Sequence, residues 1–331
     1  MSGFVKERRV RPVRWGIVST GRIARTFASD LRHVREGEVV AVGSRRRESA
    51  ATFAAEFSIP RAHGSYEALV ADPNVDAVYV ATPHPLHLEN ALLALEHGKP
   101  VLVEKAFTMN AGEARVLIDR ARATGLFVME AMWTRFLPHV VELRRLVAEG
   151  ALGELVLFEA DHGKWFERDP ASRLFAPELG GSALLDLGIY PVSFASMLFG
   201  RPSTVRSLVT PSFTGVDGQV SMVFGYASGA HALLTCTSSA RSATRACLTG
   251  REARVEIRSD FYAPTTFELI PRFGESRIFG VDVPGRGLQF QAVEVARCLE
   301  EGLLESPVMP LAESLAIMET LDEVLGVGAG A

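Results

Sequence analysis

The chain has 331 residues, 47% hydrophobic and 22% charged, which is enough for two domains with cores of their own and is the composition of an ordinary globular protein. Its formal net charge of −4 speaks against a general nucleic-acid binder, so the expected partners are small molecules rather than nucleic acid or membrane. Cys236, Cys247 and Cys298 are too far apart to read as a disulfide framework or zinc site, no apolar run approaches membrane-spanning length, and no secretory signal opens the chain; no bound metal is expected, and the expected compartment is the cytoplasm.

The basic start, residues 6–14, reads as a solvated tail ahead of the first strand. Residues 13–18 form a short apolar run whose only charge is Arg14, as suits a strand buried on both faces. Ser19, Thr20 and Gly21 break the run, and from Arg22 onward Ile23, Phe27 and Leu31 recur at helical spacing. A strand, a tight turn and a helix start in that order aim free backbone N–H groups and the helix dipole at open space, which makes an anion site. The glycine fingerprint of a dinucleotide-binding turn is degraded, with Ser19, Gly21 and Ala24 at its three positions; Gly21 holds the one where backbone must approach a pyrophosphate closely.

Residues 38–44 read as a second buried strand, ending in Ser44, Arg45 and Arg46 with no carboxylate before Glu48. An acidic residue there would hold the ribose 2′-hydroxyl of NAD; a serine and arginines suit a 2′-phosphate instead, so NADP is expected in preference to NAD. Residues 48–57 read as a helix and 65–70 as a short helical segment. A third buried strand, 75–81, stops at Thr82-Pro83-His84-Pro85-Leu86-His87. Ligands sit at the C-terminal ends of parallel strands, so Thr82, His84 and His87 are expected to meet the cofactor or pack beside it; Pro85 between the histidines speaks against a metal pair. A helix over 88–97 ends at Gly98, a strand over 101–103 runs into Glu104-Lys105, a helix over 111–124 ends at Gly125, and a strand over 126–129 follows. The alternation predicts an α/β fold with a parallel, doubly wound sheet.

After Pro138 the pattern changes. A helix over 140–149 and a strand over 154–161 precede a long polar and aromatic loop, 163–180, and a helix over 181–198. Short strands follow over 204–209, 219–226, 230–237, 245–248, 253–258 and 266–271, a mostly antiparallel sheet closed by helices over 290–300 and 311–325. The domain boundary is expected near residue 130, dividing the chain into 1–130 and 131–331, with closing helices free to pack back on the first part.

The second chemistry-bearing stretch is Gly180-Gly181-Ser182-Ala183-Leu184-Leu185-Asp186-Leu187-Gly188-Ile189-Tyr190. Asp186 and Tyr190, four apart, share a helix face among leucines, where a carboxylate is seldom idle; helix capping and packing is the alternative reading of the pair. Hydride transfer at a carbinol needs a proton acceptor on the substrate oxygen. Tyrosine serves if a nearby ammonium brings its pKa down, and Lys105, after the strand over 101–103, is the candidate cation.

These residues together make the chain resemble the Gfo/Idh/MocA oxidoreductases from about residue 13 to residue 325. The likeness is strongest in Val103-Glu104-Lys105, in the stretch from Phe127 through Glu130, Trp133 and Arg135 to Pro138, and in Gly180 to Tyr190; it is closest to the branch with dihydrodiol and NADP-dependent xylose dehydrogenases. The resemblance implies a Rossmann domain followed by an α/β domain with an open antiparallel sheet often used for dimers, hence a homodimer or homotetramer. It implies Lys105, Asp186 and Tyr190 as the catalytic lysine, aspartate and tyrosine, Glu104 beside the cofactor, Trp133 and Arg135 lining the cleft, and Arg173 in the cleft as well. Trp165 and Phe166 are candidate pocket walls. Ala106 departs from the family's Glu-Lys-Pro, which loses a rigid residue from the loop, and His84 stands where many members carry asparagine; His87 matches. The function so implied is NADP-dependent hydride transfer on a sugar, polyol or cyclic vicinal diol. The alternative is a non-catalytic nucleotide-binding regulator on the same fold.

Overall fold

The computed structural model describes residues 11–326; residues 6–10 of the basic start lie outside them. Six strands, β1 (Val13–Val18), β2 (Gly37–Gly43), β3 (Arg61–His63), β4 (Ala77–Val80), β5 (Val101–Glu104) and β6 (Val128–Ala131), form one parallel sheet in the order β3-β2-β1-β4-β5-β6. Between them run α1 (Arg22–Asp30), α2 (Arg47–Phe57), α3 (Tyr66–Val70), α4 (His87–Glu96) and α5 (Ala111–Thr124). Trp15, Ile17 and Val18 of β1 are buried, and the one charge in the strand, Arg14, is bound by Asp76 through Nε (2.9 Å) and an Nη (2.7 Å). The strand order reverses between β1 and β4, which opens a crevice at their C-terminal ends. Gly125 ends α5 in the left-handed conformation, and Gly98, one residue beyond the C-cap of α4, has φ +71°.

A 3-10 turn at Trp133–Phe136 and helix α6 (Pro138–Ala148) lead out of the first sheet. Strand β7 (Leu155–Gly163) then enters the middle of a second sheet. Helix α7 (Ile189–Phe199) crosses that sheet, followed by β8 (Thr204–Pro211), β9 (Asp217–Gly225), β10 (His231–Thr237), β11 (Ala246–Gly250), β12 (Ala253–Ile257), β13 (Phe267–Pro271) and β14 (Arg277–Phe279). Their order is β14-β13-β12-β11-β7-β10-β9-β8. The sheet is antiparallel apart from β7 and β10, which pair in parallel with Leu157 opposite His231. The parallel pair arises because β7 is followed by a helical crossover and so returns to the sheet from the same end, a connection that strand-by-strand turn patterns do not reveal. Strands β3 and β14, three residues each, are too short to show a period in sequence.

One face of the second sheet packs on α7, with Phe158 stacked on Phe194 at 5.3 Å, while Val156, Leu208, Val223 and Leu233 lie exposed on the strands. The segment Pro177–Phe199 is long and apolar enough by composition to cross a membrane, contrary to the expectation that no run approaches that length. It is mostly buried inside the fold, as a core helix is. The helix expected over 181–198 runs unbroken from residue 183 to residue 199, with a π first turn. Residues 181 and 182 precede a π turn at Leu184–Gly188, and Ser182 Oγ caps its start by accepting from Leu185 N at 2.9 Å. Helices α8 (Gln289–Glu300) and α9 (Leu311–Val324) close the described chain. α9 lies against α5, where Asp322 accepts from Ala111 N at 2.9 Å and Glu319 binds Arg115; at its other flank Ser207 of β8 donates to Val324 O at 2.7 Å.

Candidate active site

The turn after β1 faces the crevice. Gly21 is the N-cap of α1, no side chain caps the helix, and its first turn carries no acidic residue. The free N–H groups there have only the crevice to bind. A Cβ on Gly21 would project into that space, with Ser19 Oγ, at 3.7 Å, its nearest neighbour. Ser19 has φ 99°, the backbone of the glycine it replaces in the fingerprint, so the turn keeps the glycine shape at some cost in strain. Thr20 is half-buried and Arg22 exposed, while Ile23 packs on the core. These are the features a dinucleotide pyrophosphate needs.

At the end of β2, Ser44 is buried with its Oγ accepting from Arg46 N at 3.4 Å, and Arg45 and Arg46 are exposed. Arg45 lies close enough to Tyr66 to oppose the rise that burial imposes on that phenol. No carboxylate stands at this strand end.

The loops after β4 and β5 interlock. His87, fully buried, has Nε2 2.9 Å from Thr82 O and Nδ1 2.8 Å from Ala106 O; the neutral ring carries one N–H and donates to one of these carbonyls while packing against the other. His84 Nε2 lies 3.2 Å from Lys105 O. The two histidines thus hold the Lys105-Ala106 backbone, where the family's proline is missing, and burial keeps both rings neutral, with pKa values pushed down to about 3 for His84 and about 4 for His87. Glu104 sits behind them. Tyr79 OH donates to it, Lys105 N donates to it at 3.2 Å, and burial pushes its carboxyl up to about 7. Glu104 therefore supports the loop from within the core rather than facing the crevice.

Lys105 Nζ donates to Asp186 Oδ1 at 3.2 Å and to the Asp186 carbonyl at 2.9 Å, and it lies 4.8 Å from the centre of the Tyr190 ring. Arg173 reaches the same Asp186 oxygen at 3.1 Å from the half-exposed side. Trp133 Nε1 donates to Tyr190 OH at 3.1 Å. Burial alone would depress the ammonium and raise the carboxyl. Their mutual attraction reverses both: Lys105 stays above its ordinary value and Asp186, with help from Arg173, far below its own. Tyr190 departs from expectation. Lys105 and Trp133 do favour its phenolate, but burial outweighs them and the phenol is raised above the usual tyrosine value. The ammonium stands 4.8 Å from the ring centre, and its charge is shared with Asp186 and Glu104.

Arg135 also departs from expectation. Its guanidinium is buried and turned from the crevice to Glu313 of α9 (2.6 Å) and to Ser193 Oγ and O (3.1 and 2.8 Å) of α7, so it ties helices together. Trp165 is largely exposed, and Phe166 packs on the core. Two residues the sequence did not single out complete the surroundings of Tyr190. Tyr262 lies 4.7 Å and His162 5.3 Å from its ring, and Lys164 stands 4.9 Å over Tyr262. The strand alternation of β7 puts His162 inside, a signal that was available.

Glu130, at the end of β6, is wholly buried. Its carboxylate oxygens make no well-formed hydrogen bond among the described residues; Ser314 and the Phe107 backbone stand near enough to favour the ionised form, but burial outweighs them and pushes its pKa up to about 7. A carboxyl raised in the fold stabilises below its unfolded pKa, and that contribution is lost as pH rises through the folded value. Glu130→Gln therefore stabilises at about pH 8 by on the order of 3 kcal/mol and changes little at about pH 4. Denaturant titration at both values checks this; an equal gain at both would mean that the charge is not the cost.

The family model for the oxidoreductase family with an NAD-binding Rossmann fold matches residues 13–132, and that for the Gfo/Idh/MocA C-terminal domain matches residues 140–256. The trans-1,2-dihydrobenzene-1,2-diol dehydrogenase of Bos taurus is 40% identical over 325 residues, covering 94% of this chain and 96% of its own length. The Homo sapiens protein of the same name is 39% identical over 324 residues, with the same coverage of 94% and 96%. Among solved structures, a 3-ketoreductase from Actinomadura kijaniata, in complex with NADP and TDP-benzene, superposes with a TM-score of 0.82 at 26% identity, covering 95% of this chain and 97% of that one. The aldose-aldose oxidoreductase of Caulobacter crescentus gives a TM-score of 0.87 at 23% identity over 96% and 98% of the two chains, and so shares the fold. A nucleotide crevice at the switch point, a charged cluster at its floor and matches over both halves of the chain lead to one assignment: the chain belongs to the Gfo/Idh/MocA family of oxidoreductases.

Proposed function

We propose that the chain is an NADP-dependent dehydrogenase of a sugar, polyol or cyclic vicinal diol, in which Tyr190 exchanges the carbinol proton. The observation that carries this reading is the buried contact of Lys105 with both Asp186 and the Tyr190 ring at the end of β5. The names of relatives about 40% identical over nearly the whole chain support a diol as substrate. The nicotinamide, when bound, supplies the hydride chemistry. The chain supplies the rest. The uncapped start of α1 and Gly21 receive the pyrophosphate, Ser44, Arg45 and Arg46 the 2′-phosphate, and Thr82, His84 and His87 shape the wall between. Tyr190, a phenol at neutral pH, donates its proton to a carbonyl oxygen or, as phenolate, takes the proton of a hydroxyl. Lys105 stabilises that phenolate, and Asp186, kept ionised by Lys105 and Arg173, accepts from a neighbouring substrate hydroxyl. Trp133, donating to Tyr190, bounds the substrate side.

Calorimetric titration with NADPH and NADH in parallel tests the cofactor. NADPH is expected to bind about tenfold tighter or more, roughly 1.4 kcal/mol, and Arg45→Ala with Arg46→Ala to abolish the difference. NADH binding as tightly would leave those arginines a solvated helix start. A screen of diols and aldoses with the preferred cofactor then tests the substrate class; binding without turnover over the whole panel would favour a regulator.

The open face of the second sheet, with Leu208 72% exposed beside Val223 and Leu233, suits a second copy of this chain. Sedimentation is expected to give at least twice the 35.9 kDa of the chain, and Leu208→Arg with Leu233→Arg to return it to that mass. A monomeric native protein at tens of micromolar would overturn this assembly.

A further inference from the structure

Pro191, the third residue of α7, has no N–H to give. At α-helical spacing the carbonyl it leaves without a donor is that of Leu187, four residues back; at the wider spacing of the π turn it is that of Asp186, five back. Side chains serve both. Lys105 Nζ donates to Asp186 O at 2.9 Å, and His162 Nδ1 lies 3.1 Å from Leu187 O. His162 comes from β7 in the opposite sheet, is completely buried, stacks on Tyr262 at 4.4 Å and stands 5.3 Å from the Tyr190 ring. The turn that carries Asp186 and leads into Tyr190 is therefore held from two sides, by Lys105 from the first sheet and by His162 from the second.

We infer that His162 is a positioning residue for the proposed reaction: by donating Nδ1–H to the Leu187 carbonyl that Pro191 leaves free, and by packing against Tyr262 and Tyr190, it sets the Tyr190 hydroxyl and the Asp186 carboxylate in their working places. This rests on the acid/base reading of Tyr190. The Leu187 contact puts the ring proton on Nδ1. Nε2, buried, makes no hydrogen bond among the described residues, so it is the Nδ1 contact that accounts for an imidazole here. Burial, with Lys164 nearby, keeps the ring neutral, so it adds no second cation beside Lys105.

The test uses the full chain with NADPH and a turned-over substrate, comparing His162→Phe, His162→Asn, His162→Gln and Tyr190→Phe. Phenylalanine keeps the stacking and removes the donor. Asparagine returns a donor at the Nδ1 position, and glutamine reaches the Nε2 position. His162→Phe is expected to lower kcat by roughly tenfold to a hundredfold, the scale of a misplaced group, with KM and the NADPH Kd near native values, and His162→Asn to restore most of the loss. A native kcat in His162→Phe, or a rise in KM at constant kcat, overturns the inference. If His162→Phe does not fold, the comparison of His162→Asn with His162→Gln decides. The asparagine variant is expected to be faster, and equal rates overturn the inference. An unimpaired Tyr190→Phe sinks the acid/base reading and this inference with it; an impaired Tyr190→Phe beside an unimpaired His162→Phe sinks the inference alone.

Discussion

Replacing Tyr190 with phenylalanine is expected to lower kcat by about three orders of magnitude, within the range general acid–base catalysis supplies, while NADPH binds as before. The ring has its own neighbours in Trp133, Tyr262 and His162, with the Lys105 ammonium over its face, so phenylalanine keeps the packing. What is lost is the hydroxyl and one hydrogen bond from Trp133 Nε1, about 1 kcal/mol in stability. The pH dependence gives the second readout. Burial holds the Tyr190 phenol above its ordinary value despite Lys105. Oxidation of a hydroxyl, which needs the phenolate, therefore quickens as pH rises, and reduction of a carbonyl, which needs the phenol, slows only in strong base. Single-turnover rates over that pH range should show both limbs in the native protein and neither in Tyr190→Phe. A variant with native rates would remove tyrosine from the chemistry.

The second large effect is expected at Lys105. Lys105→Met leaves the buried Asp186 carboxylate with the half-exposed Arg173 as its one salt-bridge partner among the described residues, and breaking a buried pair from one side costs about 3–5 kcal/mol. Turnover falls with it, because both the phenolate and the cleft carboxylate lose their cation. The sign of the pH effect follows from the depressed Asp186. Its contribution is fully present above the unfolded carboxyl pKa and is lost as pH falls through the folded one, so the stability gap between native protein and variant is widest near neutrality and narrows in acid. Urea unfolding near neutrality and in acid measures this. Adding Asp186→Asn to Lys105→Met should recover most of the stability and none of the activity. A double variant as unstable as the single one would show that the loss comes from packing and not from the stranded charge.

Local signals carried far in the first sheet. Apolar runs marked β1, β2, β4 and β5 within a few residues, and glycines closed α4 and α5, because in a doubly wound fold each element follows from its own period and caps. The residues of Lys105, Asp186 and Tyr190 could be picked out as chemically costly ones in apolar surroundings. Their mutual geometry could not, since it depends on a π turn whose extra residue leaves no trace in a period of 3.6. The direction of Arg135 was equally hidden. Its partners Ser193 and Glu313 are 58 and 178 residues away, and a charged side chain beside a cleft looks the same in sequence whether it faces in or out. The raised Tyr190 phenol is hidden for a related reason: the nearby cation is visible from pattern, while the depth of burial that outweighs it is a property of two sheets meeting. The parallel pairing of β7 with β10 belongs to the same class, for it spans a crossover rather than a turn.

Helix α9 bears on how the chain acquires its structure during synthesis. Its Asp322 supplies an acceptor for the first turn of α5, so part of the nucleotide half waits for a residue made some two hundred positions later. A ribosome-bound chain stopped near residue 150 would carry a Rossmann sheet with one flank of α5 and the surface around Glu130 bare. Such a nascent half is exposed to aggregation and to chaperones until α9 arrives, and long-range closure of this kind slows the final step of folding.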